Sequence, residues 1–178
     1  MPSGLLIGAQ AKPSDNIAVE LKSEMSSFRK SPRMPGFDYR GGLTAHVTLV
    51  TRLRQPLFND ESLAQICLQA LDESSQRFET VFYAYCLMPD HLHLLVGVDY
   101  DATLKQFVHH FKTMSSFRLK QLTGSSPWQT SYHDRVLRRE EDIATAQAYV
   151  WHNPVQEGLA ETWDEYPYSG PREAFLPP

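Results

Sequence analysis

His91-Leu92-His93 is the segment of this sequence with the clearest capacity for chemistry. Alternate residues of a strand point to one face, so in a strand these two imidazoles converge while Leu92 points into the opposite layer. A converging pair can bind a divalent metal. It can also be two partly exposed histidines on a polar sheet face, and further partners must decide. Tyr149 and Asn153 stand four residues apart and share one face of a helix. Asn153 offers a carbonyl oxygen as a neutral third ligand. Two imidazoles and an amide suit magnesium or manganese better than a closed structural zinc. Tyr149, with an ordinary pKa of about 10, becomes a nucleophile only where phenolate is stabilised or the attacked group is polarised by a metal. A phosphodiester meets that requirement. The competing reading packs Tyr149 against Trp151 and Tyr166 and makes Asn153-Pro154 a helix stop.

Other groups are placed around these four. His46 lies on a strand face that it can share with His91 and His93, which gives it a supporting role. Tyr132-His133-Asp134-Arg135 supplies a second candidate nucleophile, but Tyr132 has no ligand-type residue one helical turn away. His133 and Arg135 can reach phosphates near the site. His109 and His110 are adjacent on a helix and diverge by about 100 degrees, which argues against joint metal binding. Lys105, Lys112, Arg118 and Lys120, with Arg138 further on, would hold a nucleic-acid backbone by charge, and Trp128 or Tyr132 could stack bases.

These residues need a scaffold, and the pattern supplies one. Leu43 to Arg52 alternates like a strand, with Val47, Leu49 and Thr51 on one side and His46, Thr48 and Val50 on the other. Asn59 or Asp60 caps a helix running to about Phe78, with apolar residues at three- and four-residue steps. Thr80 to Leu87, the turn Met88-Pro89-Asp90 and His91 to Val98 form a hairpin. Ala102 to Gln121 is a basic amphipathic helix, Tyr132 to Arg138 a fourth strand, and Glu140 to Asn153 a helix ended by Pro154. The order βαββαβα is that of an α+β, ferredoxin-like split βαβ sandwich, an antiparallel sheet with helices on one face, plus an additional C-terminal catalytic helix.

The 178 residues, 42% hydrophobic and 21% charged, suit one such domain with an extension. Residues 1–40 contain many Ser, Pro, Gly and Lys with little apolar periodicity, which predicts a flexible N-terminal extension before a domain spanning 41–178. No apolar run approaches the roughly 20 residues of a bilayer span, and the start has no positive residue ahead of Leu5. The expectation is a cytoplasmic protein with no membrane partner. Cys67 and Cys86 form no C-x-x-C pair and read as buried small hydrophobes. The net charge of -4 hides a sorted distribution: residues 105–139 hold seven Lys or Arg against Asp134, and residues 140–178 hold eight acids against Arg172. A basic segment can bind phosphates within an acidic protein. The C-terminal segment reads as an acidic tail.

Four segments resemble one family in its motif order, across roughly residues 41 to 170. They are Met88-Pro89-Asp90-His91-Leu92-His93-Leu94-Leu95-Val96, Pro127-Trp128-Gln129, Tyr149-Val150-Trp151-His152-Asn153-Pro154-Val155 with Gly158-Leu159, and Tyr166-Pro167-Tyr168-Ser169. The sequence resembles the REP-associated tyrosine transposases, IS200-like single-strand DNA transposases within the HUH endonuclease superfamily. The resemblance implies a ferredoxin-like catalytic domain in which His91 and His93 hold a divalent metal, Mg2+ or Mn2+, that polarises the scissile phosphate. It makes Tyr149 the nucleophile that forms a 5′-phosphotyrosine link and frees a 3′-hydroxyl, with Asn153 as the third ligand. It also implies single-stranded or hairpin REP-like DNA as partner, and a monomer or a homodimer. The alternative is a domesticated, catalytically weak nucleic-acid-binding protein, since a ferredoxin-like sheet can bind without cutting. A metal phosphodiesterase using water is a third class.

Overall fold

The computed structural model describes residues 42–98, 104–137 and 140–171. The expected extension at 1–40, Arg138 and the acidic tail beyond 171 lie outside the described residues.

Alternation builds the first strand, β1 (Leu43–Val50). Asp60 then caps helix α1 (Glu61–Phe78), its carboxylate accepting from the backbone N–H groups of Ser62 and Leu63. Strands β2 (Val81–Met88) and β3 (His91–Val98) form the hairpin across the two-residue turn Pro89-Asp90. Helix α2 (Leu104–Thr123), strand β4 (His133–Leu137), helix α3 (Glu140–Gln156) and the two-residue strand β5 (Ser169–Gly170) follow.

The sheet order is β4-β1-β3-β2-β5, and all four pairings are antiparallel. Because β3 lies between β1 and β2, the β1-α1-β2 unit is a split βαβ crossover, the ferredoxin-like arrangement read from the element order. Odd residues of β1, namely Leu43, Ala45, Val47 and Leu49, join Leu92, Leu94, Val96 and Val98 of β3 in a core covered by α1 and α2. On the other face a smaller core gathers Ala84, Cys86, Met88 and Leu95 beneath Ala146 and Val150 of α3. The third helix therefore covers the face to which His91 and His93 belong by strand parity.

Pro154 does not end α3. It stands inside the helix, which continues to Gln156. Proline removes one N–H and so one bond to the preceding turn, a loss the packed helix tolerates near its end. Termination comes from Gly158, at φ 70°: Leu159 N–H reaches Pro154 O at 2.8 Å and Gly158 N–H reaches Val155 O at 3.1 Å. That is a Schellman cap, which needs a left-handed residue at the glycine.

β5 has no periodic signal, because it is two residues paired to the edge of β2 through Tyr85 and Cys86. The Tyr166 hydroxyl donates to Leu87 O at 2.9 Å, and Leu87 N–H donates to Tyr168 O at 2.9 Å. The Tyr166 to Ser169 motif thus fastens the chain after α3 onto β2. Both cysteines are buried as expected, and burial pushes the Cys86 thiol up to about 12. Among the described residues no helix is long and apolar enough to cross a membrane.

Candidate active site

Register places the histidines. On β3, His93 stands opposite Thr48 of β1, and His91 opposite Val50. His91 and His93 face α3, and their Nε2 atoms lie 3.1 Å apart. The opposite ring nitrogens are engaged elsewhere. His91 Nδ1 meets a carboxylate oxygen of Asp90, while His93 Nδ1 lies 3.1 Å from Thr48 Oγ1 and 3.2 Å from His46 Nε2. A carboxylate behind an imidazole fixes its proton on the near nitrogen and leaves the far one as a lone-pair donor. With its Nδ1 protonated, His91 presents its Nε2 lone pair at the point where His93 Nε2 also converges.

Burial holds His46 and His93 neutral. His46 is lowered from its ordinary 6.5 to about 4, first by burial and then by the charge of Arg135. His93, 7% exposed, is lowered well below its ordinary value by burial, with the neighbouring His46 and His91 adding to it. Burial of Asp90 favours its neutral form, but the hydrogen bonds and charges of His91 and Arg54 outweigh this and lower its pKa.

This donor set fits a divalent cation. Two nitrogens each about 2.1 Å from one octahedral ion, at right angles, stand about 3.0 Å apart. No group of three or more His, Cys, Asp or Glu among the described residues is arranged to hold a metal. Asn153, the neutral oxygen donor expected as third ligand, is on the facing helix.

Tyr149 stands on α3 with its ring edge-on to His46 and His93, at centroid distances of 5.7 and 5.8 Å. Tyr149 and Trp151 both pack against the smaller core that includes Tyr166, and the Trp151 ring stacks on Trp163 at 4.7 Å while its Nε1 donates to Gly170 O. Those two tryptophans occupy the other flank of α3. Asn153 is 7% exposed; its Nδ2 donates to Tyr149 O at 2.7 Å. Burial raises the Tyr149 phenol above 10 and the charge of Glu157 adds to this, against a hydrogen bond from the Asn153 side chain. The phenol is therefore protonated at neutral pH and must lose its proton as it attacks.

Several groups escaped the sequence reading. Asp90 looked like a turn residue, and Thr48 like a strand residue sharing a side with His46. Gln156 gave no signal at all. It follows Asn153 by three residues and Tyr149 by seven, which keeps it on the same helix flank, and both its side-chain Nε2 and Oε1 are buried without a hydrogen-bond partner.

The basic helix does not join the site. α2 packs on the opposite face of the sheet. Lys112 Nζ donates to Gln129 O at 2.6 Å and Thr130 O at 2.9 Å, and Arg118 pairs with Glu73 at 2.7 Å. Lys105 and Lys120 are exposed on that same helix. His110 is bonded to Ser74 and rests on Phe78. Trp128 is 5% exposed, its Nε1 donating to Ser115 Oγ, so it is a core anchor and cannot stack bases. Tyr132 packs with the α1 and α2 core, on the face away from the histidines, which removes it as a rival nucleophile. Arg135, opposite His46 on β4, and exposed His133, opposite Thr48, do share the site's face.

A family model described as transposase IS200 like matches residues 40–153. The chain belongs to the IS200-like transposase family. The match spans β1 through Asn153 and so includes both histidines, Tyr149 and every element that positions them. Within this family, the chain is 30% identical over 104 residues to a Haemophilus influenzae protein named as a REP-associated tyrosine transposase. The alignment covers 52% of this IS200-like chain and 58% of that relative, so the chain spans under two thirds of the relative's length. A solved REP-associated tyrosine transposase, bound to a REP hairpin, superposes with a TM-score of 0.64 at 18% identity, over 75% of this chain and 79% of that one. At that identity the superposition establishes the shared fold.

Proposed function

We propose that this IS200-like chain is a DNA strand transferase that cuts and rejoins single-stranded or hairpin DNA through a phosphotyrosine at Tyr149. The observation that carries the reading is the convergence of two imidazole nitrogens, His91 Nε2 and His93 Nε2 at 3.1 Å, beside a tyrosine whose ring lies against His93. Family membership and the hairpin-bound structural relative support DNA as the substrate.

His91, His93 and the Asn153 carboxamide would hold Mg2+ or Mn2+, which when bound withdraws charge from a non-bridging phosphate oxygen. The chain's own residues do the remainder. The Asp90 carboxylate sets the tautomer of His91, the contacts to Thr48 and His46 hold the His93 ring in place, and burial keeps His46 and His93 uncharged. His46, stacked on His93 and edge-on to Tyr149, sets the tyrosine ring against the histidine pair, while Asn153 is tied to the Tyr149 backbone carbonyl one turn back. Attack forms the bond from phenol oxygen to phosphorus and breaks the phosphorus bond to the 3′ oxygen; the phenol gives up its proton to solvent and the leaving 3′ oxygen takes one up. The product is a 5′-phosphotyrosine and a free 3′-hydroxyl. The reverse attack by a 3′-hydroxyl reseals a strand and frees the tyrosine.

The test incubates the protein with labelled hairpin oligonucleotides from the flanks of its own gene and Mn2+ or Mg2+, and resolves the products under denaturing conditions. A protein-DNA band that vanishes in Tyr149→Phe, His91→Ala and with chelator supports the reading. Cleavage without any such band makes the chain a phosphodiesterase using water. Binding that is indifferent to Tyr149→Phe and to chelator, with no cleavage, makes it a binding module.

A further inference from the structure

Leu53 is 81% exposed and stands between two exposed arginines, Arg52 and Arg54, in the turn that leaves β1. Its backbone is left-handed, at φ 57° and ψ 21°, and Arg54 follows at φ 52°. Consecutive left-handed residues that are not glycine are strained, and a branched apolar side chain is a poor choice for such a position. The turn is nonetheless tightly fixed. Arg52 N–H donates to Pro127 O at 2.6 Å and Arg54 N–H to Thr51 O at 3.1 Å, while the Thr51 hydroxyl donates to Gln55 O at 2.8 Å. A rigid, strained turn thus holds one large apolar side chain in water between two positive charges.

The turn is also registered against the site. Val50, the last residue of β1, pairs with His91. Arg54 Nη1 bonds Asp90 Oδ2 at 3.1 Å, and the other oxygen of Asp90 meets His91 Nδ1. Leu53 is therefore linked to the His91 ring through one salt bridge and one hydrogen bond.

We propose that Arg52, Leu53 and Arg54 form a second DNA contact, a wedge beside the cleavage position. Leu53 packs on the face of an unpaired base, Arg52 holds the adjoining phosphate, and Arg54 keeps the wedge in register through Asp90. Base faces accept apolar contact regardless of sequence, and arginine neutralises backbone charge. This inference rests on the proposed DNA substrate.

The experiment measures binding of the same flank-derived hairpins, carrying single-stranded extensions, by the full chain and by Leu53→Gly and Arg52→Ala, alongside melting temperature and adduct yield. Glycine relieves the left-handed strain while removing the wedge. The expected result is a melting temperature for Leu53→Gly at or above the parent's, with affinity weakened about tenfold. For Arg52→Ala the logarithmic salt slope should fall by about one. Parental affinity and salt slope in both variants would overturn the wedge while leaving the tyrosine chemistry intact if the parent still forms adduct. A melting temperature that falls together with affinity in Leu53→Gly would also overturn it, since the side chain would then be structural. A parent that neither binds nor cuts these hairpins would remove the wedge and the proposed function together.

Discussion

Asp90 binds Arg54 with one carboxylate oxygen and His91 Nδ1 with the other, so a turn residue fixes the tautomer of the imidazole that follows it. Replacing Asp90 with asparagine keeps the shape but removes the negative charge behind His91. Manganese affinity should fall by about tenfold to a hundredfold, the usual cost of losing a partner behind a ligand, in titrations followed by electron paramagnetic resonance. An unchanged affinity would show that Asp90 only closes the turn.

The neutral histidines make the metal-free protein sensitive to acid. His46 and His93 both have folded pKa values below the ordinary 6.5, so below 6.5 the unfolded chain binds more protons than the folded one. For His46, with a folded value of about 4, the contribution is complete above 6.5 and is lost as the pH falls toward 4, by roughly 3 kcal/mol; His93 adds to the loss in the same direction. Urea midpoints should decline across that window, and His46→Gln should flatten the decline. A midpoint constant from pH 7 to 4 would contradict the neutral pair.

Gln156 buries an amide with no partner, and an unsatisfied buried polar group costs about 1 to 3 kcal/mol. Gln156→Leu should therefore raise the urea midpoint, corresponding to about 1 kcal/mol. A lower midpoint would mean that the amide is satisfied within the fold.

Lys112 was a candidate phosphate contact by charge, but it closes two backbone carbonyls of the loop before β4, and burial lowers its pKa. Lys112→Met should cost about 1 kcal/mol of stability and leave the salt slope of DNA binding unaltered. A slope reduced by about one would return Lys112 to the DNA interface.

Period-two and helical spacing revealed the sheet, its three helices and the faces of His91, His93, Tyr149 and Asn153, because each is set by local backbone geometry. The basic stripe of α2 was legible for the same reason, but its place on the face away from the histidines was not. Periodicity tells which residues share a helix face, but not which side of a sheet the helix will cover, and that side depends on crossover topology. Trp128 and Tyr132 were ambiguous until β1 and β4 paired, since strand parity only acquires an inside and an outside from the layers above it. Pro154 failed as a stop because the Gly158 cap lies one turn further on. Asp90 was legible only as a turn residue, and Gln156 and the strained Leu53 carry no sequence signal of their own; the role of each is defined by a contact, or the lack of one, made in three dimensions.

The most direct measurement maps the covalent bond itself. Protein trapped with a labelled hairpin and Mn2+ is digested with protease and nuclease, and the modified peptide is sequenced by mass spectrometry. The expected result is one phosphonucleotide on Tyr149, absent from Tyr149→Phe and from His93→Ala. A modification on any other residue, or cleaved DNA with no modified peptide, would contradict Tyr149 as the nucleophile.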